Sequence, residues 1–362
     1  MLRSLLLLLT FLSSLSLSMA QQSPEVLSDN RVTFRYTAPK ASEVKAVGQF
    51  GPEVALTKGE KGLWSGTTAA TVGPGIFEYR FSVDGVNTID SRNRAVKPQR
   101  WPSTSILHLP ASPPALWDLQ EIPHGTLHYH DYQSKALKGI WRRLIVYTPP
   151  DAEGPLPVLY LTHGYSYQEQ TWTVHGKAHW ILDALLAQKQ AVPMIIVMPD
   201  AHAVPPETRG RNEFDLYGPE NSRAFCQELL DDIVPLVEAI YPVNGESSGR
   251  AFAGLSMGGH HALTIAMQYH AEFSQIGAFS SAPPNKEMTE AGLAKAETIN
   301  QDLELLWVAC GDEDFLFEKN ELVHAAYKKA GLKHEYVLTK GDDHSWPVWR
   351  RYLAEFLPKL FR

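Results

Sequence analysis

The chain has 362 residues, 44% of them hydrophobic and 20% charged, which excludes a disordered chain and leaves room for about two domains at roughly 150 residues each. Lys plus Arg is 33 against 40 for Asp plus Glu, a formal net charge of −7, which disfavours nucleic acid or an anionic membrane as partner, since either would want a basic face. Two cysteines, Cys226 and Cys310, cannot build a disulfide framework or a four-thiolate zinc site and read as small buried hydrophobes.

Residues 1–20 have the pattern of a secretory signal peptide. Arg3 gives the positive start, Leu5 to Leu9 with Phe11 and Leu12 a short apolar run hemmed in by Ser4, Ser13, Ser14, Ser16 and Ser18, and Ser18-Met19-Ala20 the small residues a signal peptidase reads. Nothing further along offers about 18 uninterrupted apolar residues, so after cleavage the expectation is an exported chain, secreted or periplasmic, with no membrane attachment.

Residues 24–108 read as all-β. Val32 to Tyr36 alternates, as does Phe77 to Val83, which runs into the turn pair Asp84-Gly85. Short strands punctuated by Gly and Pro suggest a small β-sandwich. Residues 109–123 carry Pro110, Pro113, Pro114 and Pro123 and read as a linker. From residue 124 to 362 strands and helices alternate. Strands are expected at Arg143–Tyr147, Pro157–Leu161, Met194–Met198, Ala251–Ala253, Leu303–Ala309 and Glu335–Leu338, with helices over Ile181–Leu186 and Phe225–Ile240. The fold class is therefore α/β with a mainly parallel sheet.

Gly254-Leu255-Ser256-Met257-Gly258 fits G-x-S-x-G between an apolar strand and a helix, the setting in which this pattern is a nucleophile elbow. The turn lifts Ser256 Oγ above the sheet at a helix N-terminus and aims the Met257 N–H at a developing oxyanion. A second donor is expected from the loop after an early strand, Thr162-His163-Gly164-Tyr165, and is assigned to the Tyr165 N–H. In α/β-hydrolases Ser is followed by Asp or Glu and then His. Of the 14 histidines, His344 follows the strand Glu335–Leu338 at the carboxyl edge of the sheet and is the candidate general base. His260 and His261 lie on the elbow helix, and His334 precedes its strand. Cys310-Gly311-Asp312-Glu313-Asp314 supplies the carboxylate. Asp314 is chosen because Gly-x-x-Asp carries the chain out and back, with Asp312 as runner-up. Asp342 and Asp343 read as loop caps. His175 and His179 lack an accompanying H-E-x-x-H and read as a surface pair, so no metal and no cofactor are expected.

With these residues in place, residues 120–362 resemble the esterase D-like α/β-hydrolases, and among them carbohydrate esterase family one, the feruloyl and acetylxylan esterases. Leu161 to Gly164, Trp172, Gly176 to Ala178, Ile196 to Asp200, Glu228 to Tyr241, Arg250 to Gly259, Phe279 to Pro283 and His344 to Trp349 carry the resemblance. The family's acid falls at Gly-x-x-Asp, which favours Asp314. The β-rich part resembles the Ig-like carbohydrate-binding modules ahead of such esterases through Val44 to Phe50, Gly62 to Trp64 and Phe77 to Asp90. The resemblance implies a secreted esterase, Ser256–His344–Asp314, acting on feruloylated or acetylated xylan and its oligosaccharides, with an enterobactin-type siderophore ester as a further alternative. It also leaves a non-enzyme reading, a carbohydrate-binding protein on a hydrolase fold. Trp172 and Trp346 are candidate walls of a slot for a ferulate ring. Trp64, Tyr79 and Phe81 are candidate sugar-stacking residues, though alternating aromatics are more often core. Arg209 and Arg211, which an anionic siderophore would need, sit among Glu207, Glu213 and Asp215.

Overall fold

The structure, a computed structural model, describes residues 22–151, 153–203 and 219–362. The signal-peptide stretch and the Arg209–Arg211 segment lie outside the described residues. The chain divides into two compact units, residues 1–113 and 114–362.

Among the described residues the first unit has nine strands: β1 (Glu25–Val26), β2 (Val32–Thr37), β3 (Val44–Gly48), β4 (Val54–Ala55), β5 (Thr57–Lys58), β6 (Leu63–Thr67), β7 (Gly75–Val83), β8 (Val86–Thr88) and β9 (Ser105–Leu109). They form two antiparallel sheets, ordered β1-β2-β6-β5 and β4-β3-β7-β8, with β9 also paired to β7. The β7–β8 hairpin turns on Asp84 (φ 48°) and Gly85 (φ 83°), the positive-φ pair a two-residue loop requires. Alternate residues of β2 and β7 point between the sheets, and Phe34 packs 5.1 Å from Tyr79 and 6.4 Å from Phe81. Trp64, Tyr79 and Phe81 are core residues, 6%, 0% and 0% exposed, and present no ring face for a sugar. The Tyr79 hydroxyl donates to the buried Asp90 (2.7 Å), as does Ser23 Oγ (2.7 Å).

The second unit holds an eight-stranded sheet from β10 (Thr126–Ser134), β11 (Ile140–Thr148), β12 (Val158–Thr162), β13 (Ile195–Pro199), β14 (Arg250–Leu255), β15 (Gln275–Phe279), β16 (Leu305–Gly311) and β17 (Glu335–Thr339). Its order is β10-β11-β13-β12-β14-β15-β16-β17, and every pair from β13 to β17 is parallel. The central strands are buried on both faces, with successive residues entering opposite cores: Val158 and Tyr160 one, Leu159 and Leu161 the other. The helices 219–240, Met257–Gln268 and Phe317–Ala330 cover the first face; Ala178–Ala187 and Trp346–Phe356 cover the second. No described helix is long and apolar enough to cross a membrane.

Two local readings are corrected. Helix 219–240 is interrupted by a π turn at Leu229–Ile233, because Pro235 lacks the N–H that would continue the ladder. Strand β10 escaped the sequence reading. It is an edge strand with an exposed or half-exposed Tyr, His and Asp alternation, so it shows no apolar run.

Candidate active site

Strand order reverses at β12: β13 lies on one side of it and β14 on the other. The loops after β12 and β14 therefore diverge at the carboxyl edge, which is where an open parallel sheet forms a crevice. Ser256 follows β14 and His163-Gly164-Tyr165 follows β12.

Ser256 has φ 54° and ψ −110°, a conformation strained for a residue with a Cβ, and it is the N-cap of helix Met257–Gln268. Its N–H donates to the Phe279 carbonyl (2.8 Å), and its own carbonyl accepts from His260 N–H (2.9 Å) and Ala282 N–H (3.3 Å). The turn closes only because Gly258 has no side chain; a Cβ there would lie 2.6 Å from Thr162 Oγ1 and 2.7 Å from the His163 carbonyl. Met257 N–H is in the first helical turn, where no intrahelical acceptor exists.

Asp314 and His344 come together from the loops after β16 and β17. His344 Nδ1 lies 2.8 Å from Asp314 Oδ2 and 3.0 Å from Oδ1. The Asp314 side chain is fully buried, and its Oδ1 also accepts the Leu316 N–H (2.8 Å). Burial works against ionisation, but the His344 hydrogen bond and charge outweigh it and hold the carboxyl below its ordinary range. Asp312 instead accepts the Gly341 N–H (2.6 Å), a turn-closing contact. Asp342 pairs with Arg351, and Asp343 with the Ser345 hydroxyl. The imidazole of His344 is bracketed by two rings, Phe315 at 4.3 Å and Trp349 at 4.9 Å, centroid to centroid. Neither ring was singled out from sequence.

The β12 loop leans against the elbow: a Cβ on Gly164 would lie 2.7 Å from Leu255 Cδ1 and 3.3 Å from Ser256 Cβ. Behind it lies a buried polar network that sequence reasoning missed. Arg142 binds Glu228 through two nitrogens (2.8 and 2.9 Å) and Asp200 Oδ2 (3.1 Å). Two facing acidic groups raise the Arg142 pKa against the cost of burial. Asp200 is held well below the carboxylate range; burial opposes this, and Arg142 and His202 prevail. His163, Asp200 and His202 bring ligand-type atoms within 4.8 Å of one another. Arg142 faces Asp200 at 3.1 Å and both histidines are engaged with backbone groups, so the cluster reads as a hydrogen-bonded network. The only signals in the sequence were His163, Asp200 and Glu228, each inside a stretch that carries the resemblance.

Several expectations are overturned. Trp172 and Trp346 are 1% and 2% exposed, packed edge-to-face at 5.1 Å in the core. Trp172 Nε1 donates to the Thr162 carbonyl (2.9 Å), so the ring braces the β12 end from below. Neither forms the wall of an open slot. His175 is no surface residue either; it is 1% exposed, with its ring 5.2 Å from Trp346. His260 and His261 are buried on the elbow helix, with His260 Nδ1 3.1 Å from the Ala282 carbonyl and His261 stacked on Phe225 at 4.6 Å.

Residues 134–360 match the Esterase family model. The chain is 29% identical over 354 residues, 94% of its length, to the endo-1,4-beta-xylanase/feruloyl esterase of Xylanibacter ruminicola, but spans only 46% of that relative. The CE1 ferulic acid esterase of Anaeromyces mucronatus is 25% identical with a TM-score of 0.57, covering 67% of this chain and 93% of its own. The enterobactin esterase of Shigella flexneri, at 18% identity and a TM-score of 0.64, covers 96% of this chain and 98% of its own, and shares the fold.

Proposed function

Since the chain belongs to the Esterase family, we propose that it is a serine carboxylic-ester hydrolase that releases feruloyl groups from xylan. The observation that carries the reading is the Asp314–His344 pair, at 2.8 Å, on the same sheet edge as the strained Ser256. The relatives with feruloyl esterase in their descriptions supply the substrate class.

In this reading His344 Nε2 takes the Ser256 proton as Oγ attacks the ester carbonyl carbon. Asp314 keeps the proton of the ring on Nδ1 and stabilises the imidazolium that forms. The oxyanion is met by the N–H groups of Met257 and Tyr165. The tetrahedral intermediate collapses as His344 returns the proton to the sugar oxygen, leaving feruloyl–Ser256. Water, deprotonated by His344, then attacks that ester, and the second tetrahedral intermediate collapses as His344 returns the proton to Ser256 Oγ and ferulate is freed.

The test is ferulate release from methyl ferulate and feruloylated arabinoxylan, beside acetate release from acetylxylan, for wild type and Ser256→Ala. Loss of on the order of 10⁴-fold or more in kcat marks Ser256 as nucleophile. Turnover surviving in Ser256→Ala overturns the reading. Acetate without ferulate keeps the mechanism and moves the substrate to acetylxylan. We further propose, on the resemblance to Ig-like carbohydrate-binding modules alone since Trp64, Tyr79 and Phe81 are buried, that residues 24–108 bind glycan; when they are deleted, the rate on the polymer should fall and the rate on methyl ferulate should not.

A further inference from the structure

Three hydrogen bonds around the β12 loop define how its peptides face. His163 Nδ1 lies 2.9 Å from the Gly164 carbonyl, and its Nε2 lies 3.0 Å from the Ala201 N–H. A carbonyl only accepts and a backbone N–H only donates, so His163 carries its proton on Nδ1. Asp200 Oδ1, at 3.3 Å from Nε2, is then a longer contact beside that acceptor. By the same rule both nitrogens of the second ring, His202, donate: Nε2 to the Tyr165 carbonyl (2.8 Å) and Nδ1 to Asp200 Oδ1 (3.1 Å).

A trans peptide is planar, so its C=O and the following N–H point in opposite directions. Fixing the Gly164 oxygen towards His163 therefore fixes the Tyr165 N–H the other way. The Gly164 oxygen also accepts the Tyr167 N–H (3.1 Å), a turn bond that acts in the same sense. The Tyr165 carbonyl, held by His202, pins the next peptide. Both peptides flanking Tyr165 are thus set by imidazoles, one braced by Ala201 N–H and the other by Asp200. Gly164 sits close enough to the elbow that a Cβ would lie 3.3 Å from Ser256 Cβ.

We propose that His163 and His202 are positioning residues that orient the Tyr165 N–H as an oxyanion donor, with Asp200 as the anchor that aims His202. The proposal rests on the reading of Ser256 as nucleophile and Tyr165 as second donor. It gives the buried His163–Asp200–His202 cluster a role in transition-state stabilisation, at no point touching substrate.

Asparagine and glutamine separate this role from plain packing. The Asn amide nitrogen occupies the place of Nδ1, and the Gln amide that of Nε2. At position 163 the needed donor is Nδ1, so His163→Asn should keep kcat on methyl ferulate near wild type while His163→Gln loses on the order of 10²-fold, the scale of one oxyanion donor. At 202 the needed donor is Nε2, so the pattern reverses: His202→Gln is retained and His202→Asn falls. KM should move little in all four. Affinity for a trifluoromethyl ketone analogue of the ester, which forms the tetrahedral adduct, should fall by the same factor as kcat. General destabilisation cannot produce a reciprocal pattern, and thermal melts of all four variants confirm folding. Equal losses for Asn and Gln at either position, wild-type kcat in His163→Gln, or a kcat loss with unchanged adduct affinity would each overturn the proposal. Ser256→Ala runs alongside: if it still turns over, the reading of the site has failed; if it is inert and the reciprocal pattern is missing, only the positioning role has failed.

Discussion

The phenyl ring of Phe315 lies 4.3 Å from the imidazole of His344, centroid to centroid, yet 73% of Phe315 is exposed. On the proposed function, an exposed ring this large beside His344, one residue after Asp314, is a candidate contact for the acyl group. Its free face suits the flat phenolic ring of a feruloyl ester, an aromatic pair worth about 0.5–1.5 kcal/mol beyond burial. Phe315→Ala should therefore raise KM for methyl ferulate by up to about tenfold and leave an acetyl ester nearly unaffected. The measurement is the ratio of kcat/KM on the two esters. An equal loss on both would remove Phe315 from acyl recognition.

Asp312 and Asp314 are two residues apart and do different work. Asp314 accepts from His344 Nδ1, whereas Asp312 closes the loop on Gly341 N–H. Asp314→Asn puts an amide where the ring needs an acceptor for its Nδ1 proton, and kcat should fall by about 10⁴ as the wrong tautomer takes over. Asp312→Asn should leave kcat near wild type. A larger loss in the Asp312 variant would reverse the assignment.

The same Asp314 makes folding sensitive to acid. Its folded-state pKa is lowered from the ordinary 3.8. The unfolded chain therefore binds the proton first as pH falls. The stabilisation is complete above 3.8 and is lost as pH drops through the lowered value. Urea midpoints taken from pH 6 downward should show wild type losing stability below about pH 4 more steeply than Asp314→Asn, which has no carboxylate to titrate. Parallel curves for the two proteins would show that the His344 pairing does not stabilise the fold.

Chain-local signals made much of the site readable. Ser256 was visible because G-x-S-x-G needs a strand before it and a helix after it, and Gly258 meets Thr162 and His163 as that tight turn demands. His344 and Asp314 were visible because each follows a parallel strand at the same edge. Burial was not visible. Trp172 and Trp346 have the composition of a ring slot, but the side of the sheet on which they fall is covered by the helix Trp346–Phe356 itself. The polar network was hidden for a different reason. Arg142, Asp200 and Glu228 come from β11, the end of β13 and a helix, and only the strand order β11-β13-β12 brings them together. Phe315 was passed over because an apolar residue beside a catalytic loop looks like core until its exposure is known.

That network yields the strongest prediction for stability. Arg142 is 5% exposed and is the cation shared by Glu228, whose side chain is fully buried, and Asp200, 19% exposed. It also donates to the carbonyls of Asp200 (2.6 Å) and His202 (2.8 Å), so one guanidinium ties two carboxylates and the loop after β13. Arg142→Ala would strand the buried Glu228 without its cation and take one from the part-exposed Asp200, a loss of about 3–5 kcal/mol. Arg142→Lys should recover little, since an ammonium cannot reproduce the planar fork that reaches Glu228 and Asp200 together. Removing charge from both sides, as in Arg142→Met with Glu228→Gln, should be milder than Arg142→Ala because one of the stranded carboxylates is gone. Urea unfolding of the three variants orders them. A loss below about 1 kcal/mol for Arg142→Ala, the scale of an exposed pair, would mean that water reaches these carboxylates and that the network does not brace the loop behind the active site.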